Sequence, residues 1–207
     1  RPGRRGAIRR VERDILRNDA FDGLREHLGA DGFAEMAARR ITAVAGDVTI
    51  DGLGLDDHGR NALASCDIVI HSAAAVSFDS PLDQAVEVNL LGPVRIVETL
   101  SELGVAPHLV AVSTCYVAGS RRGSAPEQPV DDSPFFVDVD WRTEVDAARR
   151  IRRETETASR TPTALADFRT QARAELGAAG IPSLADKTEQ LRSRWVDDRM
   201  AEAGVAR

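Results

Sequence analysis

Three short apolar runs, each ending in small or polar residues, restrict this chain more than any other feature. Ile41 to Ala45 leads into Gly46-Asp47, Asp67 to His71 into Ser72-Ala73-Ala74, and His108 to Val112 into Ser113-Thr114-Cys115. Unbroken apolar character is what a strand buried on both faces requires, and the helical stretches between the runs predict βαβ units and a parallel sheet. In such sheets ligands bind at the carboxyl ends of the strands. Asp47, His71 to Ala74 and Ser113 to Cys115 are expected at that edge.

The remaining pattern is mostly helical. Ile8, Val11, Ile15 and Leu16, followed by Phe21, Leu24 and Leu28, recur at helical spacing up to a break at Gly29 to Gly32, and a second short helix is expected over Phe33 to Arg39. Asp51 to Gly59 reads as a polar turn region and Arg60 to Ala64 as a short helical approach to the next strand. Ala85, Val88, Leu91, Ile96, Val97 and Leu100 give Ala85 to Leu103 a wide apolar face, so this helix is expected to pack on the sheet. Beyond Gly119 the texture changes. Gly123 to Pro134 is loop-like, Trp141 to Glu175 is charged and mainly helical with an interruption near Pro162, and Leu184 to Ala203 is a last helix with Leu191, Trp195, Val196 and Met200 as its stripe. Asp146 with Arg150 and Glu156 with Arg160 are spaced for i, i+4 ion pairs, which stabilise a helix surface and indicate no activity.

With 207 residues, 43% of them hydrophobic and 29% charged, the chain can bury a core of ordinary size. A net charge of -6 argues against a nonspecific nucleic-acid or anionic-membrane binder. The arginine pairs, from Arg4-Arg5 to Arg152-Arg153, are interleaved with acids and read as solvated faces. No apolar stretch approaches the roughly 20 residues of a membrane-spanning helix, and Arg1-Pro2-Gly3-Arg4-Arg5 leads into no signal-type apolar region, so a cytoplasmic protein is expected. Cys66 and Cys115 lie at apparent strand positions without a Cys-x-x-Cys spacing and read as buried free thiols. His27, His58, His71 and His108 form no helical metal pair, so no metal site is expected. The sequence carries no signature of oligomeric state.

Several residues could carry chemistry. Asp47, at a strand end behind a glycine, could accept a hydrogen bond from an adenine amino group, or could serve as a turn or cap aspartate. Ser72-Ala73-Ala74 supplies small residues that let the backbone approach a flat ring or a phosphate, while His71 reads as a packing and hydrogen-bonding residue. Asn89 sits in the apolar helix four residues before Pro93, which has no N–H to give to the Asn89 carbonyl. That freed acceptor is either a tolerated kink or a place for a water or an ammonium. Ser113 and Thr114 put hydroxyls where one could donate to a substrate carbonyl oxygen as negative charge develops, or could simply cap the strand. Gly52-Leu53-Gly54 imitates the start of a dinucleotide fingerprint but lacks a leading strand and the third glycine, and reads as a turn.

Taken together, Gly46-Asp47-Val48, Asp67 to Ala74, Val76-Ser77-Phe78-Asp79, Val88-Asn89-Leu90-Leu91-Gly92 and Val112-Ser113-Thr114 resemble the extended short-chain dehydrogenase/reductases. Within these, the chain is most similar to the fatty acyl-CoA reductase or thioester reductase branch, also called male-sterility-like. Asp140-Trp141-Arg142 and Arg194-Trp195-Val196 look like features of that branch. The resemblance implies an α/β fold: a partial Rossmann-like parallel sheet with flanking helices and a mainly helical C-terminal segment. It divides the chain into residues 1–123, a partial NAD(P)-binding domain without its first strands and glycine-rich turn, and residues 124–207, a family-specific segment of the same domain.

By the same resemblance, Asp47 and Val48 border the adenine and Ser72, Ala73 and Ala74 border the ribose and pyrophosphate. Thr114 is the catalytic hydroxyl, with Ser113 the second candidate, and Asn89 matches the helix asparagine. Arg1 matches the arginine that favours a 2′-phosphate, implying NADPH. The implied reaction is reduction of fatty acyl-CoA or a carrier-bound acyl thioester to aldehyde or alcohol. Two family features are absent. One is the glycine-rich turn whose N–H groups cradle the pyrophosphate. The other is the Tyr-x-x-x-Lys pair: Tyr116 and Lys187 are the only tyrosine and lysine, and Ser120 stands where the lysine would follow Tyr116. Truncation at both ends is the expected reason, and the chain by itself is expected to be inactive. Two rival readings stay open: a noncatalytic nucleotide-sensing or scaffold module on a degenerate reductase fold, and a sugar-nucleotide epimerase or dehydratase.

Overall fold

The computed structural model describes residues 4–77, 79–114, 122–134, 136–177 and 183–205. They form two compact units, each discontinuous in sequence: residues 1–71 with 92–110, and residues 72–91 with 111–207.

The first unit holds the sheet. Strands β1 (Ile68–His71) and β2 (His108–Ala111) lie side by side and parallel, and the His108 N–H donates to the Asp67 carbonyl at 2.9 Å. Between them in sequence runs helix α5 (Leu91–Glu102), whose Ile96 and Leu100 are buried with Leu53; Leu55, Leu63, Val69, Val105 and Leu109 pack against that cluster. Burying such side chains contributes about 1.5–3 kcal/mol each, which is why the apolar face of α5 settles on the sheet.

The expected strand over Ile41 to Ala45 is not in the ladder. Ile41 is extended, with φ −117° and ψ 122°, but among the described residues the sheet has two strands, and neither pairs with this run. A strand is defined by its hydrogen-bonded neighbour. Apolar composition prepares the run for a sheet without supplying the partner.

The N-terminal part of this unit follows the expected helical pattern with more breaks. Helix α1 (Arg4–Arg10) passes into a π-helical turn (Val11–Ile15), then a 3₁₀ turn (Asp19–Phe21) capped by Asn18, then α2 (Asp22–Arg40). Gly29, at φ 69° and ψ 168°, breaks α2 at the expected point. Phe21 meets Phe33 edge to face at 5.9 Å. An apolar groove of about 840 Å³ opens between these segments, lined by Ile8, Val11, Phe33, Ala37 and Ile41 among others.

Helix α3 (Asp57–Ala64) begins three residues before the expected start, because Asp56 accepts the Gly59 N–H at 2.8 Å and so caps the extra turn. Cys66 corrects another expectation: it is free but exposed, lying beyond the end of α3 with its thiol toward the Ala62 carbonyl at 3.3 Å. Cys115 lies outside the described residues.

The second unit is helical. Helix α4 (Leu82–Ala85) continues into a π-helical turn (Val86–Leu90), and α6 (Trp141–Ser159), α7 (Pro162–Leu176) and α8 (Leu184–Val205) follow the expected boundaries closely. Pro162 opens α7 behind the Thr161 cap, a position where its missing N–H costs nothing. Phe168, Ala172 and Leu191 are buried together, with the Trp195 ring edge to face on Phe168 at 6.0 Å; Val196 and Met200 are fully buried. Lys187 ties α8 to Glu175 of α7 at 2.6 Å.

Part of this unit's interior is ionic. Arg192, 4% exposed, donates to Glu156 at 2.8 Å, to Glu189 at 2.6 Å and to the Ser159 hydroxyl at 2.9 Å, and Ser159 is itself fully buried. A buried guanidinium is tolerated only when its donors are met in this way. Of the two anticipated i, i+4 pairs, Glu156 and Arg160 stand 3.6 Å apart, whereas Arg150 is 3.9 Å from Glu154.

Candidate functional site

The turn after Ile41 to Ala45 is closed by side chains as well as backbone. Asp47 Oδ1 accepts the Thr49 N–H at 2.9 Å and the Thr49 hydroxyl at 2.6 Å, and the Asp47 N–H donates to the Leu53 carbonyl at 2.8 Å. This is the turn-aspartate geometry, an Asx turn. Gly46 permits it, since a Cβ there would stand 3.1 Å from Leu55 Cδ2 and 3.4 Å from the Leu53 carbonyl oxygen. Gly52-Leu53-Gly54 is a turn as expected, with φ values of 62°, 56° and 57°. The left-handed Leu53 is held there by its burial in the core.

Arg95 of α5, not singled out from the sequence, secures the same turn. Its side chain is 8% exposed; Nη1 donates to the Val48 carbonyl at 3.3 Å and Nε to Asp51 Oδ1 at 3.2 Å. Because Asp51 is 99% exposed, its ion pair with Arg95 is screened by water, and the firmer contribution is satisfaction of the Val48 carbonyl. The signal was present: an arginine in the middle of an apolar helix face must bring partners with it.

In the second unit, Ser72, Ala73 and Ala74 are all exposed and carry little beyond a Cβ, so their backbone is open to close approach. Asn89 fixes the backbone that follows. Its Oδ1 accepts the Ala75 N–H at 2.8 Å, and its Nδ2 donates to the Ala75 carbonyl at 3.1 Å. One side chain thereby satisfies both backbone groups of one loop residue. Asn89 itself lies in a π-helical turn, Val86–Leu90, where the Leu91 N–H reaches the Val86 carbonyl five residues back, and Pro93 sits in the first turn of α5. The consequence differs from the expected one: it is the amide of Asn89 that acts, on a loop of the protein.

Ser113 and Thr114 lie beyond the end of β2, after Val112, and are exposed. His71 is buried, in keeping with a packing role. Arg1, Cys115 and Tyr116 lie outside the described residues, and Lys187 is engaged with Glu175. Among the described residues there is no group of acids, histidines and cysteines able to hold a metal, and no helix is long and apolar enough to cross a membrane.

A parallel strand pair with a crossover helix, small exposed residues beyond β1 and hydroxyls beyond β2 has the layout of a nucleotide-binding domain. The chain belongs to the male sterility protein family, a family of NAD-binding domains, whose model matches residues 3–175.

Its relatives carry more specific names. It is 30% identical to fatty acyl-CoA reductase 1 of Arabidopsis thaliana over 130 residues, covering 62% of this chain and 26% of that protein. It is 27% identical to the alcohol-forming fatty acyl-CoA reductase of Simmondsia chinensis over 125 residues, 59% of this chain and 25% of that one. Over 111 residues it is 32% identical to the Drosophila melanogaster fatty acyl-CoA reductase wat, 50% and 22% of the two chains. The matched segment thus spans about a quarter of the length of these relatives.

The residues present fit part of the nicotinamide dinucleotide this family implies. The Ser72 to Ala74 edge offers backbone without bulk, and the Asn89 clamp holds the Ala75 backbone next to it. A glycine-rich cradle for the pyrophosphate is not among these 207 residues.

Proposed function

We propose that the chain is a segment of an NADPH-dependent reductase of acyl thioesters, fatty acyl-CoA or carrier-bound, yielding aldehyde or alcohol. The observation that carries this reading is the doubly hydrogen-bonded Asn89–Ala75 clamp behind an exposed Ser72-Ala73-Ala74 edge, in a chain whose relatives are named fatty acyl-CoA reductases. Ser72, Ala73 and Ala74 would border the ribose and pyrophosphate, Asp47 and Val48 the adenine, and Arg1 a 2′-phosphate. The bound dinucleotide would supply the hydride. Thr114, or failing it Ser113, would donate its hydroxyl hydrogen to the thioester carbonyl oxygen as negative charge gathers there, a role that requires only a donor at the reacting oxygen. Asn89 acts through the loop it holds and is a positioning residue.

The test is an assay of the full natural chain containing these residues, following NADPH consumption and thiol release together with palmitoyl-CoA and with a nucleotide sugar in parallel. With the acyl-CoA alone, one NADPH consumed per thiol released (aldehyde) or two per thiol (alcohol) supports the reading. Turnover with the nucleotide sugar, or binding of NADPH without thiol release, overturns it.

A further inference from the structure

The π-helical turn carrying Asn89 is held from a second side. Two positions before Asn89, and so on the opposite face of the turn, Glu87 Oε1 accepts a hydrogen bond from Arg149 Nε of α6 at 2.7 Å, and the Glu87 side chain is only 24% exposed. One turn earlier, Asp83 of α4 stands 3.7 Å from Arg152 Nη1, one turn along α6 from Arg149, and Arg152 also meets Asp197 of α8 at 3.0 Å. Among the described residues no hydrogen-bond donor reaches the buried Asp83 Oδ1, so its charge is met by Arg152 across that gap. Acids four apart on one helical segment face arginines three apart on another. Each spacing puts its pair on a single helix face.

We infer that this two-rung ladder, Asp83 and Glu87 against Arg149 and Arg152, makes Arg149 and Glu87 positioning residues for cofactor binding. The inference rests on the function proposed above. Arg149 holds Glu87, Glu87 fixes the rotation of the turn, and the turn sets where the Asn89 amide meets Ala75 and therefore how the Ser72-Ala73-Ala74 backbone is presented. In this fold a charged helical segment that looks like solvated surface is the back support of the loop at the nucleotide edge.

The test uses the full natural chain with Glu87→Gln, Arg149→Met and the charge exchange Glu87→Arg/Arg149→Glu, and has two readouts. In hydrogen exchange, the peptide spanning residues 72–77 should exchange faster in either single variant and regain protection in the exchanged pair. In kinetics, the KM for NADPH should rise about three- to tenfold in the single variants while kcat and the KM for palmitoyl-CoA stay within about twofold. A support that is merely structural would lower the thermal midpoint without separating the two KM values. Where a single variant does not fold, Arg149→Lys keeps the charge but changes the donor geometry, and it should show the same loop signature more weakly. Unchanged exchange over residues 72–77 overturns the inference whatever the activity. If the loop responds as expected while the wild type reduces no acyl thioester, the ladder stands as a loop support and the proposed function is what fails.

Discussion

A methyl group at position 59 would arrive 2.8 Å from Val44 Cγ1 and 3.0 Å from Leu55 Cδ2, although Gly59 sits within helix α3, where alanine is normally the better residue. Helix propensity favours Gly59→Ala by about 1 kcal/mol, whereas overpacking costs about 1–3 kcal/mol. The substitution should therefore lower the thermal midpoint, and a rise would show that Val44 and Leu55 can move aside. Thr114→Ala in the full natural chain should reduce thioester turnover by about ten- to a thousandfold if its hydroxyl steadies the developing oxyanion. Unchanged kcat with palmitoyl-CoA would remove Thr114 from the mechanism. Residue type and strand-end spacing made Thr114, Ser113 and the Ser72 to Ala74 run legible as candidates. For Arg95 the need for partners was legible but their identity was not, because Val48 and Asp51 are more than forty positions away and meet it only after folding.

At the scale of elements, the α7–α8 pair carries two carboxylates whose charge the fold favours: Glu175 bridges the two helices and Glu189 lies within α8. The Lys187 ammonium, hydrogen-bonded at 2.6 Å, holds Glu175 below the usual carboxylate range, and the Arg192 guanidinium does the same for Glu189. A carboxylate with a depressed folded pKa contributes stability that is fully present above its unfolded pKa and is lost as the pH falls through the folded one. The α7–α8 pair should thus be insensitive to pH between about 6 and 8 and lose stability below about pH 4.3, the unfolded glutamate value. Glu175→Gln combined with Glu189→Gln should flatten that acid limb in a circular dichroism titration; an undiminished acid transition would place the cause elsewhere. Helix α8 itself was legible from its apolar stripe of Leu191, Val196 and Met200, which are buried as expected. The α6 face was not, because Arg149, Arg152 and Glu156 share the composition of a solvated surface and are distinguished only by what packs against them.

For the chain as a whole, the 207 residues alone should show no reductase turnover and weak or no saturable binding in an NADPH titration, since the cradle that orients a pyrophosphate is not among them. A tight, saturable titration would mean that the Ser72 to Ala74 edge suffices. Sequence by itself determined the identity of most elements. The apolar runs at Ile68–His71 and His108–Ala111 are strands, although Ile68 and Ile70 are exposed rather than buried on both faces as expected. Apolar stripes at helical spacing mark the core helix through Ile96 and Leu100 and the helices from Trp141 onward. It also determined the family, through motifs whose order and spacing are linear. Tertiary structure alone decided that Ile41 to Ala45 has no ladder partner among the described residues, that Asn89 grips Ala75, and that acids at 83 and 87 meet arginines at 149 and 152. These are pairings between segments remote in the chain. A hydrogen bond or an ion pair is specified by where two groups meet in space, and no local periodicity encodes that.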